Sequence, residues 1–181
     1  MKKYFFVLIF IPIFTSGQQF KLGFDTGFSY VRVKDKEGKT NGLSSDSFLP
    51  VTFNLNLVYF FNKKNALRFK IGETLLSSTF NGLEIGLDAQ YYLKSKFHVL
   101  LGGHFHSNEA TGPTTPHGDY YSKIYFLKTG LGYRFSTYFI LELNYFYSLY
   151  ENKPLYYYFF GENHKTVSYM LRLNFAFLWD L

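Results

Sequence analysis

A short run in the middle of the chain has the residue types of a hydrolytic or metal site. From His104 to Asn108 it reads His-Phe-His-Ser-Asn, and His117 follows nearby. A serine becomes a nucleophile when a histidine base lies within hydrogen-bonding reach, and histidines can also bind a metal. In an extended chain, however, His106 and Ser107 point to opposite faces. The sequence has no Cys and no fixed carboxylate spacing to complete a metal site. We therefore expect polar interior histidines, and assign no catalytic residue, metal ligand or cofactor.

A second set of side chains is charged. These residues lie on the polar face of segments in which polar and apolar residues alternate. A strand turns successive side chains to opposite faces, so these charges point the same way as the glycines between them. Charges removed from water persist only when they are paired. The pattern therefore predicts an interior ionic network. Its ten members are Lys21, Asp25, Arg68, Lys70, Glu84, Asp88, Lys128, Arg134, Glu142 and Arg172.

The last segment of the chain shows most clearly which elements must position these charges. One face of it is apolar and rich in rings, and comprises Val167, Tyr169, Leu171, Leu173, Phe175, Phe177, Trp179 and Leu181. The residues between them are polar or small, and include Ser168, Arg172 and Asn174. Aromatic residues make up 23% of the chain, which suits rings at both interfaces of a bilayer. The apolar face is therefore expected to meet lipid.

Eight segments of this kind follow one another, and the connections after the second, fourth and sixth are short. We place the strands at about 20–33, 48–61, 66–76, 82–93, 97–106, 123–135, 138–150 and 166–181. Glu73 interrupts the alternation, either because it lies near lipid headgroups or because a bulge resets the face there. The fold class is all-β: an eight-stranded antiparallel transmembrane β-barrel with short periplasmic turns, longer extracellular loops and both termini periplasmic. Side chains fill a lumen of this size, which favours a plug over a narrow conduit.

The N-terminal residues 1–17 have the pattern of a cleaved signal peptide. Lys2 and Lys3 precede a short apolar core, and cleavage is expected before Gln18, which leaves 18–181 as the barrel. A retained anchor is the alternative, and the shortness of the core disfavours it. The net charge of +6 is spread along the chain, so no nucleic-acid partner is expected. Exposed lysines at the membrane edge suit anionic lipid headgroups.

The whole of 18–181 resembles the small outer-membrane β-barrels of the OmpA transmembrane-domain and OmpX type. Phe175, Phe177 and Trp179 are similar to the alternating C-terminal aromatic signal by which such proteins are recognised for assembly, although the last residue is Leu181 and not the usual Phe. The resemblance implies a location in the outer membrane of a Gram-negative bacterium. It also implies contact with outer-membrane lipids, including lipopolysaccharide, and with the barrel-assembly machinery.

The resemblance leaves three functions open. Small barrels include lipid A deacylases, but their His-x-Ser-Asn run is matched only in part, since Phe105 stands three residues before Asn108. A small hydrophobic-ligand conduit of the OmpW type is a further alternative. The pattern favours a non-enzymatic structural or interaction role, including that of an accessory subunit of an outer-membrane complex.

One external segment is a candidate docking loop for such a partner, which could be another outer-membrane protein. It consists of Tyr156, Tyr157, Tyr158, Phe159 and Phe160. Clusters of exposed rings often mark interaction sites, and Tyr is favoured at binding hot spots. The alternative is a hairpin that continues the last two strands and rests its rings on lipid headgroups.

Overall fold

The computed structural model describes residues 19–34, 40–42, 50–75, 80–94, 96–110, 120–149, 154–157 and 164–181. These residues form β-strands joined by turns, and none of them builds a helix able to cross a membrane. The strands are β1 Gln19–Lys34, β2 Thr40–Gly42, β3 Val51–Phe60, β4 Asn65–Leu75, β5 Gly82–Tyr92, β6 Phe97–Ala110, β7 Tyr120–Arg134, β8 Phe139–Ser148, β9 Pro154–Tyr157 and β10 His164–Asp180.

Eight of these strands close into an antiparallel barrel. Their order is β1-β3-β4-β5-β6-β7-β8-β10, and β10 pairs back with β1. The short strands β2 and β9 pair with the ends of β1 and β10 and lie outside the barrel order. Every barrel strand therefore has two neighbours. This closure is needed in a membrane, because backbone N–H and C=O groups in the hydrocarbon core cannot bond to water and must bond to each other. The predicted fold class is confirmed.

The beginning of β1, the end of β10 and the three short connections all lie at the same end of the barrel, which we call the turn end. The connections are residues 61–64, 93–96 and 135–138. The side-chain oxygen of Asn62 accepts hydrogen bonds from the backbone N–H groups of Lys64 and Asn65, at 2.8 and 2.9 Å. An Asn side chain that accepts from the backbone two residues further on forms an Asx turn, which mimics a backbone turn. The other end, where the longer connections leave the barrel, is the loop end.

The outer surface of the barrel is apolar. Large side chains such as Leu55, Leu101 and Leu131 are exposed by 63%, 58% and 64%. At the turn end, neighbouring rings pack on one another, as in the pair Phe97 and Tyr133 with centroids 4.8 Å apart. Monomeric soluble proteins rarely expose a large contiguous apolar patch, whereas this apolar surface surrounds the barrel. The barrel therefore spans a membrane, with this surface against lipid.

The expected alternation fails at one position of the last strand. Val167 was predicted on the outward face, but it is buried in the lumen opposite Val33. The pairing of β1 with β10 shifts here, because Arg32 faces Tyr169 and Val33 faces Val167. Ser168 is thus the extra residue of a β-bulge, and the bulge turns Val167 inward.

Two further features refine the predicted strands. Glu73 is exposed on the outward face, and β4 keeps continuous register with both neighbours, so no bulge resets the strand there. The carboxylate lies two residues from the loop-end terminus of β4. The β6–β7 hairpin also extends beyond the predicted boundary, because Ser107 pairs with Lys123 and Ala110 with Tyr120.

Candidate functional site

The lumen contains a group of six charged side chains that we call the central charge cluster. Three carboxylates face three cations, and all six are at least 97% buried. The members are Asp25 of β1, Arg68 and Lys70 of β4, Asp88 of β5, Lys128 of β7 and Glu142 of β8. The inward parity of five different strands therefore brings them together.

Arg68 is the centre of this cluster. Its Nη1 and Nη2 atoms donate to the two carboxylate oxygens of Glu142, both at 2.8 Å, and Nη2 also donates to Asp88 at 3.2 Å. The Nε2 atom of His98 lies 3.0 Å from the same Glu142. Planar two-point pairing with a carboxylate is the geometry for which a guanidinium is suited.

The two lysines complete the pairing. Lys70 donates to Asp25, and Lys128 donates to Asp88 at 2.6 Å. The other oxygen of Asp25 accepts from the side-chain amides of Asn54 and Asn174, at 2.9 and 2.8 Å. Each carboxylate of the cluster therefore accepts hydrogen bonds from two or more side chains, which offsets part of the cost of burying it.

A second ion pair, Arg172 with Glu84, lies toward the loop end. The Nη1 and Nη2 atoms of Arg172 donate to the two oxygens of Glu84, both at 2.7 Å, and its Nε donates to the hydroxyl of Ser29 at 2.7 Å. His104 and His106 lie 3.2 and 3.3 Å from the same carboxylate. The inward histidines thus surround a paired carboxylate.

The ring of Phe146 lies between the two charged groups. The guanidinium carbon of Arg172 is 5.0 Å from its centroid, and the Nζ atom of Lys128 is 5.5 Å from it. A cation near an aromatic face is attracted by the ring quadrupole. Phe146 therefore joins the second ion pair to the central charge cluster without a polar contact.

Two layers of buried apolar side chains also occupy the lumen, one toward each end. The loop-end layer consists of Val31, Val33, Phe80, Ile124, Phe126, Phe146, Val167 and Met170. In it Phe80 stacks on His106, with centroids 4.0 Å apart and planes 7° from parallel. The turn-end layer consists of Val58, Ala66, Tyr92, Ile140, Ala176 and Leu178, with Phe60 packed against it. The central charge cluster thus lies between the two apolar layers, and the second ion pair lies beside Phe146 of the loop-end layer.

Two of the ten residues proposed for the network lie apart from the other eight, at the turn-end rim. Lys21 pairs with Asp180, whose side chain is 58% exposed, at 2.8 Å. Arg134 has its guanidinium carbon 4.8 Å from the centroid of the Tyr92 ring. The turn-end apolar layer, to which Tyr92 belongs, separates these two cations from the central charge cluster.

The network also includes residues that sequence reasoning did not assign to it. His98, His104 and His106 were predicted to face inward, but their contacts with Glu142 and Glu84 were not foreseen. Asn54 and Asn174 were likewise not included. Their inward parity was the available signal, because every long polar side chain inside a narrow barrel must find a partner there.

The hydrolase and metal hypotheses find no assembled site among the described residues. His104 and His106 are buried beside Glu84, whereas Ser107 follows on the opposite, outward side of β6. Within the described ranges no three His, Cys, Asp or Glu side chains form a group that could hold a metal. His117 lies outside those ranges.

Part of the candidate docking loop falls within the structure. Tyr156 and Tyr157 belong to β9, where they pair with Lys165 and His164 of β10. The backbone there forms a hairpin that extends the barrel at its loop end. Tyr158, Phe159 and Phe160 lie outside the described residues.

The residues of the proposed assembly signal line the outer surface where the barrel closes. Phe177 and Trp179 have ring centroids 5.1 and 5.7 Å from that of Phe24 on β1. Phe175 packs edge-on against Phe28 at 6.3 Å. These rings therefore cover the seam between the first and last strands.

Comparisons with known proteins bear on the fold. No protein-family model matches the chain, and no curated protein matches it. Among solved structures, the attachment invasion locus protein Ail of Yersinia pestis, in complex with the heparin analogue sucrose octasulfate, is 16% identical with a TM-score of 0.53. That match covers 89% of this chain and 99% of Ail. Neisserial surface protein A is also 16% identical, with a TM-score of 0.50, over 90% of this chain and 98% of that protein. The chain has the fold of the small eight-stranded outer-membrane β-barrels.

Proposed function

We propose that this protein is an outer-membrane barrel that carries no solute through its lumen and acts through its surfaces. It would be a structural or interaction protein, including an accessory subunit of an outer-membrane complex. Its immediate surroundings would be outer-membrane lipids, including lipopolysaccharide, and both termini would face the periplasm with the turn end.

The burial of the central charge cluster carries this proposal. Arg68, Asp25, Asp88 and Glu142 are 0% exposed although they lie inside a tube. The lining of a water-filled channel would be accessible to solvent, whereas these four charged side chains are not. Three cations balance three carboxylates, so the layer offers no excess charge to a passing ion.

The proposed orientation and assembly route rest on the two ends of the barrel. Short connections and chain termini are typical of the periplasmic end of outer-membrane barrels, and longer connections of the external end. Residues 1–17 would direct export, and Phe175, Phe177 and Trp179 would present the final strand to the barrel-assembly machinery.

The docking loop is the proposed contact with a partner. Its sequence from Tyr156 to Phe160 is aromatic throughout, and β9, which contains its first two residues, lies at the end of the barrel that we propose to be external. Aromatic side chains provide large contact areas at interfaces. The partner proposed is another protein of the outer membrane.

Affinity purification from the native membrane in mild detergent tests the interaction role. We expect a stoichiometric partner that is lost from the double variant Tyr156→Ser, Tyr157→Ser. The matched control is Tyr91→Ser, Tyr138→Ser, which removes two exposed tyrosines at the turn end. A barrel that purifies alone, or equal loss in both variants, would contradict docking through this loop. A change in lipid A mass in the His104→Ala strain would instead indicate an enzyme.

A further inference from the structure

A basic cavity of about 400 Å³ opens at the turn end, outside the turn-end apolar layer. Five of its lining residues are cationic: Lys21, Lys63, Lys64, Lys94 and Arg134. They come from the start of β1, the β3–β4 turn, the β5–β6 turn and the end of β7. The cavity is thus formed by three separate parts of the rim together with the first strand, and not by one basic segment.

The charge of this cavity is largely uncompensated. Among the described residues of the turn end, Asp180 is the only one with a carboxylate side chain, and it pairs with Lys21. Lys63, Lys64 and Lys94 have no carboxylate partner within the described ranges. Like charges gathered around one space repel each other, and an anion bound between them would relieve this repulsion.

Arg134 gives the cavity a fixed donor. It lines the cavity, and its guanidinium carbon lies 4.8 Å from the centroid of the Tyr92 ring. An arginine held on an aromatic face keeps its orientation and can present several N–H groups to one oxyanion. Phe60 and Tyr92, with centroids 5.7 Å apart, form an apolar floor behind it.

We propose that this cavity binds a compact phosphate-bearing anion. Its volume lies within the range of small-molecule sites, and it is a recess that opens at the turn end of the barrel. A phosphate or diphosphate places more negative charge in such a space than one carboxylate side chain does. The lysines supply mobile point charges and Arg134 supplies a planar fork, and this combination suits phosphate oxygens.

The phosphate has two possible sources. It can belong to the headgroup of an anionic phospholipid in the adjacent leaflet, or to a free polyphosphate in the compartment that the turn end faces. Both present the same oxyanion to the same residues, so one set of variants tests both.

In the first part of the test, inorganic pyrophosphate is titrated into the protein and its binding is measured by calorimetry. The wild-type protein is held in nanodiscs of phosphatidylcholine, which has no net charge. We expect saturable binding that weakens with salt. Lys63→Gln and Lys94→Gln should each weaken it about five-fold, the effect of one lysine near an anionic group. Both side chains are exposed, so these variants should fold normally.

Lys96→Gln is the matched control. Lys96 lies on the same rim and carries the same charge, but its Nζ atom is 6.0 Å from the Tyr133 centroid and it does not line the cavity. We expect pyrophosphate binding by this variant to stay within about two-fold of wild type, because an exposed charge outside the site contributes little. An effect equal to that of Lys94→Gln would overturn the proposal, because the anion would then be attracted by the rim as a whole.

The second part of the test identifies the source of the phosphate. The protein is extracted from bilayers of mixed phosphatidylcholine and phosphatidylglycerol, and the retained lipid is counted by mass spectrometry. Phosphatidylglycerol that is retained by wild type and lost from Lys94→Gln identifies a lipid headgroup. Pyrophosphate binding without such retention identifies a free phosphate. Absence of both would overturn the proposal.

Discussion

Arg68 and Glu142 form a two-point ion pair between diametrically opposite strands of the barrel. β4 and β8 are four strands apart in either direction around the wall, yet both N–H···O distances are 2.8 Å. Arg172 and Glu84 repeat this relationship between β10 and β5, at 2.7 Å. The two pairs connect parts of the wall that share no backbone hydrogen bonds. We therefore expect them to make unfolding of the barrel cooperative.

Removing one partner of the central pair should be costly. In Arg68→Met the buried Glu142 loses its guanidinium, and we expect the free energy of unfolding to fall by about 3–5 kcal/mol. Urea unfolding in lipid vesicles, followed by tryptophan fluorescence, measures this. The double variant Arg68→Met, Glu142→Leu removes both charges and should lose less than the sum of the single variants. Additive losses, or a loss below about 1 kcal/mol for Arg68→Met, would contradict a coupled network.

Two glycines, one facing the lumen and one facing outward, provide a second, matched test of packing in the lumen. A Cβ atom on inward Gly132 would lie 2.0 Å from the His98 ring, whereas one on outward Gly103 would meet nothing within 4 Å. Gly132→Ala must displace His98 from Glu142, so we expect a loss of about 1–3 kcal/mol in unfolding free energy. Gly103→Ala should change it by less than about 0.5 kcal/mol. Equal effects would mean that the lumen is not tightly packed around His98.

The position of Glu73 on the lipid side gives a prediction about depth. Because Glu73 lies two residues from the loop-end terminus of β4, we expect its carboxylate at the headgroup level, where a charge costs about 0–1 kcal/mol. Glu73→Leu should therefore stabilise the folded protein by no more than about 1 kcal/mol in the same unfolding assay. A larger gain would place Glu73 deep in the hydrocarbon and shift the whole barrel along the membrane normal.

The aromatic signal on the last strand can be separated from simple packing. We expect Trp179→Ser to lower the amount of folded barrel in cells, because the assembly machinery would bind the final strand less well. Folding of the same purified variant into detergent should be affected much less. Phe97→Ser is the control, since Phe97 is also an exposed turn-end ring but lies on β6. Equal loss of both variants in cells would indicate that packing alone is responsible.

Much of this architecture could be predicted from period-two alternation, because a one-residue slip would expose the charged face to lipid. The strands, the short turns and the inward set of charges follow from that rule. The facing of Val167 could not be predicted, because the bulge at Ser168 depends on how β10 pairs with Val33 of β1. Nothing in the local sequence around Val167 interrupts the alternation.

Which charges pair was also beyond the sequence. Arg68 and Glu142 are separated by 74 positions and lie on strands that are not neighbours, so their meeting depends on the stagger of the closed barrel. The same stagger leaves Lys21 and Arg134 at the rim, where they line a basic cavity instead of joining the central charge cluster. The alternation of side chains alone assigns a residue to the lumen, but it does not assign the position of that residue along the barrel axis.

Electrical recording across a planar bilayer tests most directly whether the lumen is closed. The protein would be reconstituted from a sample whose folded state is established by its heat-modifiable migration on a gel, with a known porin as the conducting control. If charges and apolar layers fill the lumen as we propose, the baseline should equal that of the protein-free bilayer at all voltages. Discrete, reproducible current steps carried by the folded protein would contradict the filled lumen and indicate a conduit.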